Sequence, residues 1–160
     1  MSSPYVSLLE ALRAYCNLPE FPNPLPSNEL LLQLENGLSI TINLKEETSM
    51  VVLFAEIGTY ELKNELSVLS KIGQANFLWA ATEGGTLSAR PEIQTVYLAY
   101  QAPISSLEAD AFVKRVQEFA RVAEQWKDIL QQIDEGKNLE APMTSTTEAS
   151  STPVIPDEII

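Results

Sequence analysis

Residues 29–44 read ELLLQLENGLSITINL. Asn36-Gly37 is a turn signal between two apolar runs, and the second run alternates. Leu38, Ile40, Ile42 and Leu44 point one way; Ser39, Thr41 and Asn43 point the other. The register of the pair decides what is buried. A two-residue Asn-Gly loop pairs Leu34 with Ser39 and Leu32 with Thr41, which sets the first strand's leucines on the polar face. A three-residue loop, Glu35-Asn36-Gly37, pairs Leu34 with Leu38, Leu32 with Ile40 and Leu30 with Ile42, joining the apolar residues of both strands. The second register is therefore expected, with Gly37 in the left-handed position of a bulged turn. A hairpin with one apolar face needs a covering layer, and the rest of the chain supplies it.

Downstream, Lys45 to Ser49 is a polar loop, and Met50 to Ile57 reads as a third strand. It is apolar on both faces: Met50, Val52 and Phe54 against Val51, Leu53 and Ala55. Such a strand lies centrally under a covering layer, or keeps one face for a partner. Tyr60 to about Leu78 has helical spacing, with a stripe of Leu62, Leu66, Leu69, Ile72, Gly73 and Ala75-Asn76, widened by Val68, Phe77, Leu78 and Trp79. That surface is broader than covering one sheet face requires, and contact with a second subunit is its natural use. Gly84-Gly85 makes a turn, Leu87–Arg90 and Thr95–Tyr100 read as two further strands, and Pro103 ends the second. Ser105 and Glu108 have capping-box spacing and predict the start of a long helix running to about Asp134. Its regular face, Phe112, Val116, Phe119, Ala123, Trp126, Leu130 and Ile133, is expected to pack on the sheet.

Upstream, Ser3-Pro4 starts a helix over about 4–17, with Tyr5, Leu8, Leu9, Leu12, Tyr15 and Cys16 on one face. Pro19, Pro22, Pro24 and Pro26 then impose an extended linker. The element order is α-β-β-β-α-β-β-α: one α+β domain over 1–136, an antiparallel sheet packed with helices. Residues 137–160, acidic and rich in Ser, Thr and Pro, are expected to form a disordered tail.

Composition narrows the function. The net charge of −12 argues against nucleic acid or an anionic membrane as partner, since both need Lys and Arg. The chain contains no histidine, which removes the usual general base and the commonest transition-metal ligand. Cys16 is the sole cysteine, so no internal disulfide forms; on the apolar stripe it is expected to be a buried, inert thiol. Gly84-Gly85 lacks the further glycines, the following helix and the Lys of a phosphate loop. The carboxylates read as solvated charge, Glu118 with Arg121 and Glu124 with Asp128 among them. No run reaches the length of a membrane span, and the N-terminus has no secretory pattern. The expectation is a non-catalytic, cofactor-free cytosolic protein whose excess apolar surface binds another protein.

Ala75-Asn76-Phe77-Leu78 followed by Thr82-Glu83-Gly84-Gly85-Thr86-Leu87 resembles the signature that closes the second helix of class I type III secretion chaperones. These are the Tir-chaperone-like proteins of Gram-negative bacteria. Glu83 stands where that family carries the first glycine of its Thr-Gly-Gly. Leu107, Phe112, Phe119 and Trp126 resemble the pattern of the family's final helix, and the element order is the same. The likeness spans roughly residues 4–134. It implies a homodimer built through the second helix and the strand after it, with Leu62, Leu66, Leu69, Phe77 and Leu87 at or near the interface. It implies a bacterial cytoplasmic location and no ATPase activity. Its partner would be the extended N-terminal chaperone-binding segment of one or more secreted effector proteins, with Val6, Leu9, Leu31, Val52 and Phe54 as the expected cargo contacts. The alternative is a regulatory module on the same scaffold that binds a folded component, such as a secretion ATPase, a transcription factor or RNA polymerase.

Overall fold

The computed structural model describes residues 3–22 and 28–137. Pro24, Pro26 and nearly all of the expected tail lie outside the described residues. Helix α1 spans Pro4–Cys16, with the Ser3 hydroxyl accepting the Val6 N–H at 3.3 Å and Pro4 in the first turn. Five strands follow the expected order: β1 Glu29–Gln33, β2 Ser39–Lys45, β3 Met50–Thr59, β4 Thr86–Arg90 and β5 Thr95–Pro103. Helix α2, Glu65–Asn76, lies between β3 and β4, and α3, Ala109–Asp134, closes the domain.

The hairpin takes the three-residue register. Leu30 pairs with Ile42 and Leu32 with Ile40, the Leu34 N–H donates to the Leu38 carbonyl at 2.8 Å, and Gly37 sits at φ 84°. All contacts in the sheet are antiparallel, in the order β1-β2-β3-β5-β4, so β3 is central and β1 and β4 are the edges. One face carries Leu32, Ile40, Ile42, Val51, Leu53, Ala55, Ile57, Leu87, Val96 and Leu98, all buried. Tyr5, Leu8, Leu9 and Leu12 of α1, the whole predicted face of α3, and Val68, Ile72 and Ala75 of α2 close over it. Period-2 and period-3.6 patterns thus meet in one core, whose central side chains are each worth about 1.5–3 kcal/mol on burial.

Four expectations change. Cys16 is exposed, because Leu12 is the last α1 side chain over the sheet and the helix end runs past it. Tyr15 is likewise exposed, and the Gln117 side chain donates to its hydroxyl. Helix α2 is shorter than the periodicity suggests, with 3-10 turns at Leu62–Asn64 and Phe77–Trp79 replacing its ends. The capping box does not open α3. The Ile104 N–H still bonds the Ser49 carbonyl at 2.9 Å, extending the ladder, and a 3-10 turn over Ile104–Ser106 follows before Glu108 takes the N-cap.

Charge pairing also differs from simple solvation. Glu118 pairs with Arg115 at 3.1 Å, Arg121 pairs with Glu83, and Glu124 accepts from the Asn36 side chain at 2.7 Å. Lys127 donates to the Asn36 carbonyl at 2.8 Å, so α3 grips the β1–β2 turn from two positions.

Candidate functional site

Three helices cover one sheet face, and among the described residues nothing covers the other. On it Phe54 of β3 and Tyr97 of β5 stack, with ring centroids 5.4 Å apart and planes at 16°. Phe54 lies opposite Ala99, so Tyr97 is its diagonal neighbour, within reach of an aromatic ring. Val52 is half-buried beside them and borders an open depression of about 450 Å³ with Gly84, Thr86, Ala99, Tyr100 and Gln101. Leu31 of β1 is 63% exposed on the same face.

The edge at β1 is laid out by its rungs. Leu44 donates to the Asn28 carbonyl and Leu34 to that of Leu38, so the even-numbered residues bond inward to β2. Alternation then turns the N–H and C=O of Leu31 and Gln33 away from the sheet. Beneath this edge the Tyr5 hydroxyl lies 3.1 Å from both the Asn28 and the Ile42 carbonyls, tying α1 to β2 and to the residue that leads into β1. Burial, and after it the charge of Glu29, pushes the Tyr5 hydroxyl up to about 12.

The second surface is the outer side of α2 and its flanking turns. Leu66 is 82% exposed, Leu78 74% and Phe77 70%, and Leu62, Leu69 and Trp79 are exposed beside them. Six of the ten large exposed apolar side chains among the described residues thus lie between positions 62 and 79. Leu78 and Trp79 hold φ of 51° and 54°, a left-handed turn made by two bulky residues. The chain then runs through Thr82–Gly85 into β4, and α3 fixes that turn: Arg115 donates to the Glu83 carbonyl at 2.7 Å while its guanidinium lies 4.8 Å from the Tyr100 ring centre. Gly85 sits in a tight place: a Cβ there would meet Leu98, Thr82 and Ala99 atoms at 3.1–3.3 Å, so those neighbours would have to give way by a few tenths of an ångström.

The predicted contact residues divide cleanly. Leu31, Phe54, Leu62, Leu66, Leu69 and Phe77 are exposed, and Val6 and Val52 are half-buried. Leu9 and Leu87 are each 1% exposed, packed inside the domain, so neither side chain meets the surface in this conformation. Leu9 shares the core side of α1 with Tyr5, Leu8 and Leu12, and Leu87 faces the core from β4. Leu78, Trp79 and Tyr97 join these surfaces without being among the predicted contacts. Tyr97 was legible from alternation, being out of phase with Val96 and Leu98, once β5 is known to pair with β3. Among the described residues no group of three His, Cys, Asp or Glu side chains is placed to hold a metal ion, and no helix is long and apolar enough to cross a membrane.

A model of the Tir chaperone protein (CesT) family matches residues 7–127. The chain belongs to this family. It is therefore a class I type III secretion chaperone, as the motif resemblance implied. No curated protein matches the chain. Solved structures share the fold of this CesT-family chain at low identity. A chain in the crystal structure of the ExsC–ExsE complex has a TM-score of 0.61 at 17% identity, covering 78% of this chain and 92% of that one. One in the HopA1–SchA chaperone–effector complex has a TM-score of 0.59 at 10% identity, covering 81% and 94%. One in the heterodimeric ExoU–SpcU complex from the type III secretion system of Pseudomonas aeruginosa has a TM-score of 0.58 at 16% identity, covering 80% and 98%.

Proposed function

We propose that this CesT-family protein binds the N-terminal chaperone-binding segment of one or more secreted effectors in the bacterial cytoplasm, holding it extended and competent for export. The observation that carries the reading is the β1 edge, unpaired among the described residues, beside a sheet face that no described element covers and that bears Leu31, Val52, Phe54 and Tyr97. An added strand bonds to the outward backbone groups of Leu31 and Gln33, and every second side chain lies on that apolar face. Ordering a flexible segment costs about 2–5 kcal/mol; the backbone bonds, at about 0.5–1.5 kcal/mol each, do little more than offset this, so net affinity comes from the apolar contact. The action is binding; it has no chemical step and needs no cofactor.

Two copies act together in this reading, joined through Leu62, Leu66, Leu69 and Phe77, with Leu78 and Trp79 at the margin. Association costs about 4–15 kcal/mol before any net affinity. At about 1.5–3 kcal/mol for each fully buried large side chain, the contact must bury most of these six together. A face-to-face meeting of two α2 surfaces does so.

The test is co-expression with the disordered N-terminal fragment of a candidate effector encoded beside this gene. Co-purification, with the fragment shielded from protease and the capture abolished by Leu31→Pro, supports the reading. Capture of a folded secretion or transcription component, with no retention of the fragment, replaces it with the regulatory alternative.

A further inference from the structure

The sheet has two edges of five residues each, and they are not equivalent. At β1 the outward backbone groups of Leu31 and Gln33 face away from the sheet, as the rungs at either end require. At β4 the outward positions are Leu87 and Ala89. There the Asn76 side chain, at the last residue of α2, donates from Nδ2 to the Leu87 carbonyl at 2.8 Å and accepts the Leu87 N–H on Oδ1 at 2.9 Å. The amide thus occupies both groups a partner strand would use, as a strand residue does. With Leu87 taken, β4 offers an incoming strand only the single position at Ala89, too little to hold a segment.

We infer that Asn76 decides which edge of the sheet accepts an extended segment: it closes β4 and leaves β1 as the one entry. An unprotected edge next to exposed Phe77, Leu78 and Trp79 would pair with any extended chain, including another β4. The amide removes that option while leaving the apolar side chains free. This inference rests on strand addition as the binding mode, and its failure is separable from failure of that reading. Loss of addition at β1 is read by Leu31→Pro in the capture experiment, where the β4 amides play no part.

Amide hydrogen exchange on the unmodified protein tests the inference first. The Leu87 N–H is expected to exchange at least ten-fold more slowly than that of Leu31, although both point outward from edge strands. Equal rates overturn the inference. Asn76→Ala is then expected to remove the Leu87 protection and to give assemblies whose mass rises with concentration. Adding Ala89→Pro, which removes an outward N–H and no ladder bond, is expected to return the wild-type mass. Asn76→Ala that keeps the wild-type mass, or assemblies that persist in the double variant, overturn the assignment. If Asn76→Ala does not fold, the comparison of Leu87 with Leu31 in the unmodified protein decides alone.

Discussion

At the scale of single residues, Tyr5 and Leu53 show what holds the platform under the open edge. The Tyr5 hydroxyl lies against the Asn28 carbonyl just ahead of β1 and the Ile42 carbonyl of β2, and its titration is displaced from the ordinary value of 10.0 to about 12. The neutral hydroxyl is favoured in the folded state. Its contribution is therefore complete below pH 10 and is lost as pH rises through 12. Tyr60, raised chiefly by burial and then by its bond to Glu65, acts in the same direction. Urea denaturation at stepped pH should show stability falling between pH 10 and 12, with a shallower fall in Tyr5→Phe. That variant should cost about 0.5–1.5 kcal/mol at neutral pH. Leu53 sits at the centre of β3 with its side chain 1% exposed, so Leu53→Ala should cost about 2–5 kcal/mol in the same assay. Cys16 marks where reading single residues fails. Its helical spacing matches the core stripe, but spacing carries no information on where the sheet beneath ends.

At the scale of elements, strands were more legible than helix ends. The β1–β2 register followed from alternation, because a one-residue slip would turn Leu30, Leu32 and Leu34 to the open face. The extent of α2 did not follow. Phe77, Leu78 and Trp79 continue the apolar pattern, but the chain leaves the helix there to reach β4, and the left-handed turn at Leu78 and Trp79 has no composition signal. The two surfaces also make separable predictions. Leu66 is exposed in the single chain, so Leu66→Asp should leave the melting temperature of the monomer nearly unchanged while preventing self-association. Light scattering and a thermal melt on one sample read both. Leu31→Pro alters an edge N–H that serves no internal rung, so circular dichroism should stay that of the wild type while capture of the effector fragment is lost.

At the scale of the molecule, acidity and apolar exposure belong together. A net charge of −12 opposes aggregation of a chain that presents six large apolar side chains along α2 and an aromatic pair on the sheet. A chain without histidine and with excess apolar surface suits binding, and its motif order is that of the secretion chaperones. Individual contacts were less legible. Leu9 and Leu87 lie in apolar stretches that do face the core, and nothing in a periodic pattern says which apolar stripe a helix or strand keeps outside. The purified protein alone should have twice the 17.7 kDa mass of one chain. The measurement that bears most directly on the account is the molar mass, by in-line light scattering, of this protein mixed with a disordered N-terminal effector fragment. One species containing two 17.7 kDa chains and the fragment is expected. Elution of the fragment apart from the protein at every concentration would contradict it.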